Sequence, residues 1–240
     1  MTLRAVILLT SLGFLFLVLI LPSRGIIHLN DSFYAEKSDG FWWKGEISEL
    51  HFKNELIGDV YFKLSFVNLL KGNLMYNVKI KRSDTFIYGK VGVSVKGDFI
   101  LKDIDFSAKF NKKRFNQQIV FQSLSSIEGS IKNFKFNSLG CMESSGNATG
   151  IMLNEYGIFP QDLVLDIVLK CQSGLMAIIF NSKEKGFLTG FVHITPDLKY
   201  EIQIKSSSLA SKIKSLTKTN FTTEPIFQSS GFVKDVLRNL

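Results

Sequence analysis

Residues 59–66, Asp-Val-Tyr-Phe-Lys-Leu-Ser-Phe, and residues 74–81, Leu-Met-Tyr-Asn-Val-Lys-Ile-Lys, decide the fold class. In the first run Val60, Phe62, Leu64 and Phe66 alternate with Asp59, Tyr61, Lys63 and Ser65. In the second, Leu74, Tyr76, Val78 and Ile80 alternate with Asn77, Lys79 and Lys81. Side chains of a strand point to opposite faces in turn, so this period of two predicts strands with one face buried and one wet. Residues 68–73 break the pattern between them. The same style continues along the chain. Residues 86–96 place Val91, Val93 and Val95 on one face, and Ile104, Phe106, Ala108 and Phe110 resume after the turn at Lys96-Gly97-Asp98. Strand patterns follow at residues 129–136, 146–153, 163–171, 174–180 and 187–194, and around Tyr200, Ile202 and Ile204. Short polar turns at this spacing predict an antiparallel meander. Residues 119–124 read as a short strand or turn, residues 208–218 fit a helix, and residues 231–237 fit either a last strand or a short helix.

Upstream of the strands, residues 5–21 are apolar without a single charge. A helix of that length extends about 26 Å, close to the lower limit for crossing a bilayer. Arg4 lies before it and Pro22, Ser23 and Arg24 after it. A cleaved signal needs small residues at −3 and −1, and the proline sits where the peptidase wants an extended small segment. An uncleaved anchor is therefore favoured over a cleaved signal. Basic residues near the two ends nearly balance, and the short tail decides orientation: N-terminus in the cytoplasm, large domain exported. Residues 1–24 are expected to form tail and anchor, and residues 25–240 one exported β-rich domain.

The chain carries a net charge of +8, but its lysines are scattered over polar strand positions and the densest run is Lys112-Lys113-Arg114. No aromatic stacking platform accompanies that run, so a solvated face is favoured and no nucleic-acid partner is expected. The two cysteines, Cys141 and Cys171, both fall in the exported part. Disulfides persist in such compartments, and an even count leaves nothing unpaired, so a bridge is favoured over two buried thiols.

Catalytic signatures are missing. His28, His51 and His193 lack a second ligand at metal-binding spacing, and no phosphate-binding or dinucleotide motif occurs. Asp103 and Asp105 share a strand face, yet solvated carboxylates explain them better than acid–base chemistry. No enzyme, metal or cofactor is expected. A sheet that curls would leave an apolar groove or core lined by Phe62, Phe66, Leu74 and Tyr76. Such a groove would suit a lipid or another hydrophobic ligand.

Gly40-Phe41-Trp42-Trp43-Lys44-Gly45-Glu46-Ile47, residues 58–64 and Asn68-Leu69-Leu70-Lys71-Gly72-Asn73-Leu74 carry a family resemblance. With Cys141 before Gly150, Leu169-Lys170-Cys171 before Gly174, and Pro196-Asp197-Leu198-Lys199-Tyr200, they resemble protein N of the bacterial type II secretion system. Tyr61-Phe62 stands where that family is expected to carry a tryptophan. The resemblance implies a single-pass inner-membrane protein with a periplasmic β-rich domain. It also implies an accessory role in exporting folded proteins across the outer membrane, with other secretion components and the inner membrane as partners. It carries over the cysteine pair, and Trp43 as a core or groove position, but no catalytic residue. The fold expected is mainly β: an N-terminal transmembrane helix followed by a meandering, curled antiparallel sheet. The alternative function is a periplasmic lipid-binding or lipid-transfer protein with a sheet like that of the AsmA proteins.

Overall fold

The computed structural model describes residues 33–52, 55–110, 124–154, 161–184, 187–197, 199–206 and 226–232. The expected anchor at residues 5–21 and the expected helix at residues 208–218 lie outside them. Among the described residues no helix is long and apolar enough to cross a membrane.

Among the described residues thirteen strands form one open antiparallel sheet in which spatial order equals sequence order. They are β1 (Phe33–Phe41), β2 (Lys44–Phe52), β3 (Glu55–Leu64), β4 (Asn73–Lys81), β5 (Thr85–Ser94), β6 (Phe99–Lys109) and β7 (Leu124–Asn137). Then follow β8 (Gly140–Met152), β9 (Leu163–Gln172), β10 (Leu175–Ser182), β11 (Thr189–Ile194), β12 (Lys199–Lys205) and β13 (Ile226–Phe232). One five-residue helix, α1 (Phe66–Leu70), links β3 to β4. The meander read from alternation is present, with two strands more at its start than the alternation revealed. The chain divides into two compact units, at residue 83.

In unit 1, Ser38, Ile47, Val60 and Ile80 oppose one another in succession across β1 to β4. Val60 and Leu64 are buried there, and so is Met75. The expected β3 alternation stops at Leu64. Phe66, expected on the strand, instead opens α1, where the Asn68 side-chain amide donates to the Ser65 hydroxyl. Serine and asparagine compete locally with strand pairing in this way. A bulge at Glu49, whose φ is 49°, shifts β2 against β3, and the Glu49 amide donates to the Asp59 carboxylate at 3.0 Å.

In unit 2, the apolar face carries Ile87, Phe106, Gly129, Ala148 and Ile167 as one cross-strand rung, and Phe180, Gly190 and Ile204 continue it. The phase of alternation breaks inside β6: Phe99 and Leu101 share the face of Ile104 and Phe106. A bulge at Asp103, with φ of 50°, absorbs the extra residue. The corresponding step in β7 lies between Ile131 and Asn133, which lets Phe134 and Phe136 rejoin the face of Ile131. Bulges of this kind re-aim side chains and add twist. The core of the unit is Met152, Leu163, Leu165, Leu188 and Ile204, with Leu124, Ile167 and Phe180 packed against it. Leu188 comes from the β10–β11 connection, which is folded inward by Ser182. The Ser182 amide donates to the Leu188 carbonyl at 2.7 Å and its hydroxyl accepts the Leu188 amide at 3.1 Å.

The cysteines form the expected bridge, Cys141 to Cys171, with Cα atoms 5.4 Å apart. Cys141 is buried at the start of β8, and its amide donates to the Gly174 carbonyl at 2.8 Å. Gly174 follows Ser173 in a two-residue hairpin turn, both with positive φ, the geometry that suits the twist of the flanking strands. Gly140 has φ of 117°, and a Cβ on it would lie 2.1 Å from the Gly174 carbonyl oxygen, so only glycine lets these two turns approach.

Candidate functional site

The five aromatic and aliphatic residues singled out in the sequence fall into two groups. Phe62 and Tyr76 sit on the buried face of unit 1 with Val60 and Leu64, their rings edge-to-face at 6.1 Å. The Phe62 ring lies over Gly45 on β2, where a Cβ would meet it at 2.8 Å. Burial raises the Tyr76 hydroxyl pKa above its ordinary value. Trp43 and Phe66 lie at the end of the unit instead. Trp43 stands in the β1–β2 turn, stacked on Phe41 at 5.8 Å and tilted against Phe66 at 6.4 Å. Phe66 and Leu74 are exposed.

Unit 2 holds a feature that alternation alone did not reveal. On the polar face, Asp105, Ser130, Asn147 and Val168 form one cross-strand rung. Ser107, Glu128, Thr149 and Asp166 form the next. Together with Phe86 they line an open furrow of about 660 Å³. The lining contains no histidine, cysteine or basic side chain, so it offers carboxylates, hydroxyls and one amide to a ligand. The signal was present only as ordinary polar positions on four strands, and becomes a site once register is known. Asp103, paired in the sequence reading with Asp105, lies at the bulge and binds Lys90 at 2.9 Å, which holds its carboxyl below the usual range.

A buried charge cluster closes the β5–β6 turn. Asp98, 3% exposed, accepts from Lys135 Nζ, Asn137 Nδ2 and Ser94 Oγ, each at 2.9 Å. The Lys135 contact first, then Asn137 and Ser94, lowers the Asp98 pKa from 3.8 to about 2. The unfolded chain therefore binds the proton more tightly than the folded one. The contribution is complete above pH 3.8 and is lost as pH falls from 3.8 towards 2. Asp98→Asn is expected to lower stability at pH 7 and to flatten the acid limb between those values. Equilibrium unfolding measured across that range checks this, and an unchanged acid limb contradicts it.

His51 stacks on Tyr34 at 4.4 Å and His193 on Phe191 at 4.3 Å, while His28 lies outside the described residues. Among the described residues no three His, Cys, Asp or Glu side chains gather to hold a metal ion. No family model matches the chain, and neither does any curated protein or solved structure.

Proposed function

We propose that this chain is an accessory inner-membrane component of a type II secretion system, and that it acts by protein–protein contact on the periplasmic side. The order and spacing of the motifs quoted above support the family reading. One structural observation carries the mode of action. Among the described residues the sheet ends on β13, Ile-Phe-Gln-Ser-Ser-Gly-Phe, which pairs with β12 and has no charged residue or proline. Edge strands usually carry lysine, proline or a bulge to block pairing with another chain. A terminal strand without these is suited to accept a strand from a partner, with main-chain hydrogen bonds giving affinity. In this reading residues 5–21 hold the sheet at the membrane and the open end recruits secretion components. Affinity purification of the full chain from chemically crosslinked envelopes is expected to recover other secretion subunits. Recovery of the chain alone counts against the proposal.

A second reading, a curled sheet that carries lipid, is favoured by one feature. Away from the core of unit 2, the apolar rungs stay half-buried, as at Ile87, Phe106, Ile178 and Val192. Native mass spectrometry of gently extracted protein separates the readings: co-purifying lipid supports carriage, and lipid-free protein opposes it.

A further inference from the structure

We infer that the end of unit 1, where the β1–β2 turn meets α1, inserts shallowly into an anionic phospholipid surface. The end is apolar and exposed in a way that packing does not require. Leu70 is 90% exposed, Val67 66% and Phe66 50%, and Leu69 and Phe41 are exposed beside them. Small exposed apolar groups are normal on protein surfaces, but five large ones at one end mark a contact surface. Trp43 links the two segments, stacked on Phe41 and touching Phe66. Tryptophan and phenylalanine suit the boundary between headgroups and acyl chains.

Charge identifies the occupant. Residues 41–45 and 63–77, which build this end, contain Lys44, Lys63 and Lys71 and no acidic residue. All three lysines are exposed. Lys44 and Lys63 are direct cross-strand partners, an arrangement that repels in the free protein and is relieved by anions. An apolar tip whose nearest charges are these lysines, with Asp39 and Glu46 set back behind Gly40 and Gly45, fits an anionic bilayer, where long lysine stems reach up to the headgroups. The tether permits it. From residue 22 to β1 the chain has enough residues to span roughly 35–40 Å when extended, so the tip can return to the membrane that residues 5–21 would occupy. The inference rests on the anchored reading for this tether only.

Trp42 and Trp43 are the only tryptophans of the protein, and both lie in this turn. The anchor contains none, so their fluorescence reports the tip in the full chain. We would reconstitute the full chain in vesicles of phosphatidylcholine with and without phosphatidylglycerol, using acyl-chain-brominated lipid as quencher. With phosphatidylglycerol present, brominated lipid is expected to remove roughly half of the emission or more, and salt at about 0.5 M to weaken the effect. Leu69→Asp/Leu70→Asp and, separately, Lys44→Glu/Lys71→Glu are expected to reduce the quenching about twofold or more. The exposed positions of these four residues leave the core intact, and a far-ultraviolet circular-dichroism spectrum and thermal midpoint equal to those of wild type report the folding of each purified variant. Emission that brominated lipid leaves unquenched, or quenches equally in wild type and both variants, overturns the inference. Neither result touches the proposed role of β13, which is read by crosslinking to protein.

Discussion

Replacing Cys141 and Cys171 together by alanine is expected to lower the thermal midpoint by about 7–15 °C. The bridge joins residues 30 apart in sequence. In the chain-entropy description a closed loop of that length restricts the unfolded ensemble by roughly 3–4 kcal/mol. For a folded region of this size each kcal/mol moves the midpoint by about 2–4 °C. The bridge also ties the start of β8 to the end of β9, where Gly140 and Gly174 bring two turns into contact. Loss of the link frees both turns at once. Calorimetry of the double variant and of reduced wild type checks this. A common midpoint for oxidised protein, reduced protein and variant contradicts it.

Leu163→Ala is expected to cost about 3–4 kcal/mol, and Leu139→Ala less than about 0.5 kcal/mol. Leu163 is 1% exposed and sits among Met152, Leu165, Leu188 and Ile204, whereas Leu139 is 83% exposed. Truncation of the first removes apolar contact and leaves a cavity. Its neighbours stand on paired strands or in the Ser182-pinned connection, so they have little room to collapse into the space. Truncation of the second only exchanges one solvated group for another. Denaturant unfolding of the two variants measures the contrast. Equal losses would mean that the core lies elsewhere.

Strands whose apolar residues alternate without interruption, such as β3, β4 and β9, are legible in the sequence; β1 and β2 are not. In β1, Phe-Tyr-Ala-Glu-Lys-Ser-Asp-Gly-Phe, polar residues occupy both faces and the buried position is Ser38, so no apolar period appears. β7 and β8 look shorter in the sequence than they are because the bulges break the phase of alternation, and a broken phase looks like a strand end. The spacing of β3 persists to Phe66, although Ser65 and Asn68 turn the chain into α1. The disulfide is legible from the even cysteine count. The polar furrow and the Asp98 cluster are not. Their members come from separate strands, and only the pairing of strands places Lys135 beside Asp98 or Asp166 beside Glu128 and Thr149.

These elements give one physical picture for the proposed role. The meander keeps sequence neighbours as spatial neighbours, and among the described residues it ends on β13. In β13 that strand lacks the charges that would discourage pairing. A photo-crosslinking residue at the exposed Ser230 of β13, compared with one at the exposed Lys102 in the middle of the sheet, tests strand recruitment most directly. In intact envelopes the account predicts adducts with other secretion components from Ser230 and few or none from Lys102. Equal yields from both positions, or no protein adduct from Ser230, would contradict it.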